Sequence, residues 1–278
     1  MSYAGAATPD RLLAVAPGFH APGPLDFFLP DFIGNHWGHH GYTEVLTKSG
    51  ALLVLGAALA FGFLASAARR GEVVPSKWQF LGESAYDFIR NGVARDIIGE
   101  AAFMRYVPLL VSLFFFIIIN NLFGIVPLLS FAPFSKVSFA YGLALLVWLI
   151  YNGVGIMDKG LVGYLKHATV PAGVPKWILP LLVPLEFFSN ILVRPLTLSL
   201  RLFANMFAGH LLIILFSTGG AYLLLTAEGS PILKPAGLLA FVMGIAIGFL
   251  EVIVAVLQAY VFTLLTATYI SGSLASEH

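Results

Sequence analysis

Residues 184–212, PLEFFSNILVRPLTLSLRLFANMFAGHLL, place two arginines inside an apolar segment longer than an ordinary soluble helix. At about 100° per residue, Glu186, Asn190, Arg194, Thr197, Arg201 and Asn205 fall within about one third of a helix's circumference, which predicts one polar stripe on an apolar rod. His210, about two and a half turns beyond Arg201, points to the opposite side. A guanidinium at bilayer depth costs about 2.5–3.5 kcal/mol on insertion scales, and it cannot shed its proton to escape that cost. It requires an anion. Either Glu186 or Glu251 supplies it in a fixed structural pair, or a partner brings the anion and takes it away, and the spacing leaves both open.

The rest of the chain carries too little charge to dilute that anomaly. Hydrophobic residues make up 59% and charged residues 10% of the sequence, the balance of an integral membrane protein. Fifteen Lys and Arg against fourteen Asp and Glu leave a net charge of +1, so no electrostatic footprint for nucleic acid is present. The absence of cysteine excludes disulfides, thiolate metal sites and a cysteine nucleophile. The short apolar run at 12–16 is too brief for a secretory signal, and the start reads as mature protein.

In order, residues 1–45 show neither helical nor strand period and are expected to pack along the outer membrane face. His36, His39 and His40 lack a carboxylate or cysteine at ligand spacing, so they read as loop histidines and no metal site is expected. Residues 46–70 form the first membrane helix, its apolar run at 50–68 being long enough for a hydrocarbon core of about 30 Å. Residues 75–100, with Trp78, Leu81, Tyr86 and Ile89 among charged neighbours, predict an amphipathic surface helix. A two-helix membrane hairpin over 106–157 follows, with Asn120 and Asn121 inside it either as interhelical hydrogen-bonding groups or as the lining of a water pocket. Asp158, Lys159, Lys166, His167 and Lys176 then read as a loop ending at the breaker PAGVP over 171–175.

Residues 177–273 hold two apolar segments, each well beyond the roughly 20 residues of a perpendicular span, so a long helical hairpin must tilt or bend. Pro195, Gly209, Gly219 and Gly220 are the candidate bends, and Glu228-Gly229-Ser230-Pro231 is the turn. Pairing Arg201 with Gln258 and His210 with Glu251 centres the hairpin near residue 230, at that turn. Gly244 and Gly248 have the spacing that permits close helix approach. The expected fold is all-α, with about five membrane-embedded helices plus the surface helix. Arg69, Arg70, Lys77, Arg90, Arg95, Arg105, Lys159, Lys166 and Lys176 lie toward one face, against Arg11, Lys48, Lys136 and Lys234 toward the other. The richer face is expected to be cytoplasmic, with the amino terminus outside and the carboxyl terminus inside.

LSLRLFANMFAGH over 198–210 resembles the signature helix of the a subunit of rotary F-type ATP synthases of the bacterial type, and EVIVAVLQAYVFTLLTATYI over 251–270 resembles its last helix. Residues 74–127 match more loosely. The resemblance implies a stator beside a rotating c-ring whose mid-membrane carboxylates pass Arg201, the family's essential arginine, with Gln258 and Asn205 supporting it. It implies two offset half-channels for H+, b-type peripheral stalk subunits and membrane lipids as partners, no cofactor, and no catalysis by the subunit alone. His210 and Glu251 form a titratable pair assigned to the outer half-channel. Relative to many bacterial members the acid and the histidine have exchanged places, as in mitochondrial-like members. Glu186, Ser189 and Asn190 are assigned to the inner half-channel, and the spacing from Glu186 to Pro195 is one residue longer than the family pattern. Arg194 and Thr197 are secondary polar positions. The implied location is the bacterial plasma membrane. The competing readings are a membrane-embedded acid/base enzyme using His210 and Glu251, and a self-contained secondary transporter, which would show internal repeats that the sequence lacks.

Overall fold

The computed structural model describes residues 23, 48–69, 77–126, 129, 131–170, 177–225 and 233–275. All but one residue of the N-terminal segment, with His36, His39 and His40, lies outside the described residues, as do Arg70, the breaker at 171–175 and the turn at 228–231.

The described residues form helices and no strand: α1 (Lys48–Arg69), α2 (Lys77–Ile89), a widened π turn (Arg90–Arg95), α3 (Asp96–Ile98), α4 (Phe103–Leu122), a short 3-10 turn (Pro133–Ser135), α5 (Val137–Thr169), α6 (Leu179–Phe188), a second π turn (Ser189–Val193), α7 (Arg194–Leu225) and α8 (Leu233–Leu274). Five stretches are long and apolar enough to cross a membrane: Lys48–Ser66, Phe103–Leu122, Val137–Lys166, Leu179–Leu224 and Lys234–Leu274. This is an all-α integral membrane protein. Helix α2 exposes Phe80, Leu81, Tyr86 and Phe88 and buries Gln79 and Ile89. At the far end of that region Arg95 hydrogen-bonds Glu100 and holds its carboxyl below the usual carboxylate range; the pair is exposed, where such pairs contribute little.

The core lies where four helices meet. Leu198, Leu202 and Met206 of α7, Ala255, Ala259 and Phe262 of α8, Ala140, Ala144, Val147 and Tyr151 of α5, and Val107, Leu110 and Ile117 of α4 are all buried at helical spacing. Lipid tails are as apolar as leucine, so burial alone gives helices little reason to associate; close packing supplies it, and the alanines let the backbones approach. One contact shows how tight this is. A Cβ added at Gly56 of α1 would lie 2.4 Å from Nδ2 of Asn120, a buried amide that donates to the Phe116 carbonyl at 2.8 Å. Gly56→Ala is therefore expected to force α1 from α4 or break that bond, costing about 1–3 kcal/mol, as overpacking does. Unfolding of the purified complex in a denaturing detergent series would show it as a lowered midpoint.

Two features depart from the sequence reading. The helix expected to stop at 157 ends close by, at Gly160, but the stretch beyond it that reads as a loop is a second helical stretch, Lys166 included, running to Thr169. The chain turns at Gly160, whose φ of 73° and ψ of 163° suit a residue without a side chain. The reversed part folds back until the Tyr164 hydroxyl donates to Asn152 Oδ1 at 2.8 Å, with its ring against the bare face of Gly155. Of the candidate bends, Pro195 acts, but through the turn before it: α7 itself is one helix from Arg194 to Leu225.

Candidate functional site

Pro195 explains the local geometry at the head of α7. Its ring clashes with the carbonyl four residues earlier in a regular helix, and it has no N–H to donate. The wider turn over Ser189–Val193, in which Arg194 N–H reaches back to the Ser189 carbonyl, relieves the clash. The next bond of that pattern would run from Pro195 to the Asn190 carbonyl and cannot form. The Tyr151 hydroxyl of α5 donates to that carbonyl instead, at 3.1 Å.

The π turn also divides the single polar stripe that a uniform helix predicts. At its start, Asn190 Nδ2 donates to the Ala168 carbonyl at 2.5 Å and to Glu186 Oε2, just upstream, at 3.4 Å, so both face the folded-back end of α5. Glu186 and Ser189 are half-buried. A cavity of about 170 Å³ lies beside Asn190, lined also by Trp148, Asn152, Tyr164, Ala168 and Phe187, while Glu186 and Ser189 are not part of its lining. Downstream, Thr197, Arg201 and Asn205 are exposed on the outward side of α7. Arg194 does not join that face: its guanidinium carbon lies 5.2 Å from the ring centre of Tyr269, a cation–π contact. Thr197 returns its hydroxyl to the Val193 carbonyl at 2.8 Å.

Among the described residues Arg201 has no acid within ion-pair distance. Among the described residues Arg95–Glu100 is the only ion pair, so the fixed intrachain salt bridge is not what the fold builds. Around Arg201 the surface is apolar, with Leu192, Val193, Leu196 and Leu200 exposed on α6–α7 and Leu250, Ile253, Val256 and Leu257 exposed on α8.

Helices α7 and α8 make the most extensive contact in the chain. Facing positions are Gly209 with Glu251, Phe216 with Gly244, Gly220 with Phe241 and Leu224 with Gly237, the constant antiparallel register expected of a hairpin centred near residue 230. Gly244 is used in this packing, whereas Gly248 meets nothing within 4 Å. The hydrogen-bond partner of Gln258 is Asn205 rather than Arg201: Asn205 Nδ2 donates to Gln258 Oε1 at 2.9 Å. Gln258 is buried, so it anchors Asn205, one turn from Arg201, from inside the hairpin. Arg201 turns outward while His210, Glu251 and Gln258 turn in.

His210 and Glu251 are 4% and 3% exposed, a depth at which an acid and an imidazole are rarely placed without a function. The Glu251 carboxylate lies along the helix at Gly209, where an added Cβ would come within 3.0 Å of Oε1, next in sequence to His210. Neither carboxylate oxygen accepts a hydrogen bond among the described residues. The ring of Phe131 meets His210 edge-on, with centroids 6.2 Å apart. Asn120 and Asn121 are fully buried at the end of α4; Asn120 bonds its own helix, and the Asn121 amide finds no partner among the described residues. No group of three or more His, Cys, Asp or Glu able to hold a metal occurs among the described residues.

Tyr151, Asn152, Tyr164, Tyr269 and Phe131 were not singled out from the sequence. Each acts across a helix interface, and aromatic or amide residues in a membrane span carry no sign of which neighbour they will meet.

Comparison with known proteins gives the family. Residues 50–271 match the family model described as ATP synthase A chain. The chain is 54% identical over 269 residues to an ATP synthase subunit a of Nocardioides, covering 95% of this chain and 96% of the relative. It is 46% identical to the Pseudarthrobacter chlorophenolicus subunit a, covering 93% and 94%, and 41% identical to that of Streptomyces lividans, covering 94% and 90%. An outward arginine on a buried histidine–glutamate hairpin, in a sequence matched over nearly its whole membrane portion, leads to one statement: the chain belongs to the ATP synthase A chain family.

Proposed function

We propose that this chain is the proton-conducting stator of its ATP synthase, without catalysis of its own, working against a ring of c subunits with b-type stalk subunits holding it still. The observation that carries this reading is Arg201, exposed on an apolar face and without an ion-paired acid among the described residues. A guanidinium left so in a membrane must be answered by an acid from a partner. A carboxylate within about 4–6 Å of a fixed cation is held ionised, so each ring acid gives up its proton on arrival and retakes one on leaving. Since Arg201 is always charged it relays no proton, and it separates the two access routes.

His210 and Glu251 serve the outer route, Glu186, Ser189 and Asn190 the inner one, with Gln258 holding Asn205 beside Arg201. Arg194 steadies the inner end through Tyr269. The amino terminus lies outside and the carboxyl terminus in the cytoplasm of a bacterial plasma membrane. Membership of a multi-subunit complex leaves the self-contained transporter and the membrane-embedded enzyme without support. The class of partner is tested by purification under mild detergent: a small helical-hairpin protein with an Asp or Glu at mid-helix is expected to copurify. A complex stable without any such subunit would remove the acid on which the reading depends.

A further inference from the structure

We propose that the cavity beside Asn190 is a binding site for a small uncharged molecule that carries a hydroxyl on an apolar ring, a phenol being the simplest case. Such a site stands whatever route protons take through the chain.

The fold makes the space. Gly160 reverses α5, and the stretch beyond it lies back along the stretch before it, held by the Tyr164 hydroxyl on Asn152 Oδ1 at 2.8 Å. The π turn after α6 closes on the same place, with the Asn190 amide bonded to the Ala168 carbonyl. Protein interiors leave few voids larger than a water molecule, yet about 170 Å³ remains open between these three segments. An apolar cavity of about 150 Å³ is enough to hold benzene. Ile156, Leu161, Leu165 and Phe187 line the cavity and are also exposed at the side of the protein, so its rim is hydrocarbon and entry is from the lipid.

The polar groups of the lining then select the ligand. Asn152 Nδ2 donates to the Trp148 carbonyl at 2.7 Å and the Thr169 hydroxyl to the Leu165 carbonyl at 2.7 Å, so these are met within α5. Trp148 Nε1 and Asn190 Oδ1 are not: both are buried without a hydrogen-bond partner among the described residues. The Asn190 amide cannot be turned over to hide the difference, because its nitrogen already faces two acceptors, the Ala168 carbonyl and Glu186 Oε2. An indole N–H only donates and an amide oxygen only accepts, and leaving either unmet in a buried place is costly. What the two ask for together is a group that accepts and donates, which a hydroxyl does. A hydrocarbon leaves both atoms unmet, and an ion is disfavoured by the apolar walls. One water meets them but leaves most of the space unfilled, whereas a ring bearing the hydroxyl fills it.

In the purified whole complex, a phenol carrying a diazirine is bound in the dark and irradiated, and the attached residues are read by peptide mass. Attachment is expected in the cavity, at Trp148, Leu165 or Phe187, and not at the exposed Val54 and Phe61 of α1. Unlabelled phenol is expected to displace the probe about thirtyfold better than benzene at equal concentration in the detergent phase, the scale of two hydrogen bonds. Trp148→Phe removes the N–H and keeps a ring, so phenol's advantage falls about fivefold while benzene displaces as before. Ala168→Leu fills the space and abolishes attachment; should it fail to assemble, Leu165→Trp is held to the same measurement. Attachment spread evenly over exposed residues, the result for a cavity that holds only water, would overturn the proposal. So would equal displacement by phenol and benzene, or an undiminished preference for phenol in Trp148→Phe.

Discussion

Membrane vesicles carrying Arg201→Ala are expected to hydrolyse ATP and retain an assembled complex, yet to make no ATP from an imposed proton gradient. At about 4 Å and an effective dielectric of 20, a guanidinium–carboxylate attraction is about 4 kcal/mol, which is near a thousandfold in the protonation equilibrium of the acid. No other cation is among the outward positions named above: they are leucine, isoleucine and valine, with the uncharged Thr197 and Asn205. Removing the side chain also removes the barrier between the two access routes, so passive proton leak should rise as synthesis falls. Arg201→Lys keeps a charge but one that a dry site can neutralise, and it is expected to couple poorly. Normal synthesis by the alanine variant, with assembly verified by copurification, would end the assignment.

The second large effect concerns the buried pair. His210→Glu and Glu251→His, each alone, put two acids or two imidazoles where one of each is needed, and ATP-driven pumping should fall about a hundredfold, the usual weight of a positioned proton-transfer group. The double exchange restores an acid and a base. It is expected to recover more activity than either single variant, though not all of it, because the bulkier imidazole at 251 must fit against Gly209, where the carboxylate already stands at contact distance. Equal loss in all three would mean that the two residues do not pass protons to each other.

Much of this was legible in the residues. The spans, the long hairpin and its register follow from apolar length and from the distance of each polar residue from the turn, which are properties of one chain segment at a time. What escaped was set by neighbours. A uniform helix from Glu186 to Asn205 predicts one stripe, but Pro195 forces a wide turn whose position depends on which carbonyl can be satisfied from outside. Gly160 lies in what reads as a loop and turns the chain between two helical stretches, while Gly248 looks like half of a packing motif and meets nothing within 4 Å. Arg201 was correctly placed apart from His210 by arithmetic, yet only the fold shows that Gln258 reaches Asn205 in its stead.

The phenol of Tyr151 has a role larger than one bond. By giving the Asn190 carbonyl the donor that a proline cannot, it decides the angle at which two stretches of a single rod are joined. The direction in which the cation points, relative to the acid upstream, is thus dictated by a different helix, so α5 and α7 must be selected together.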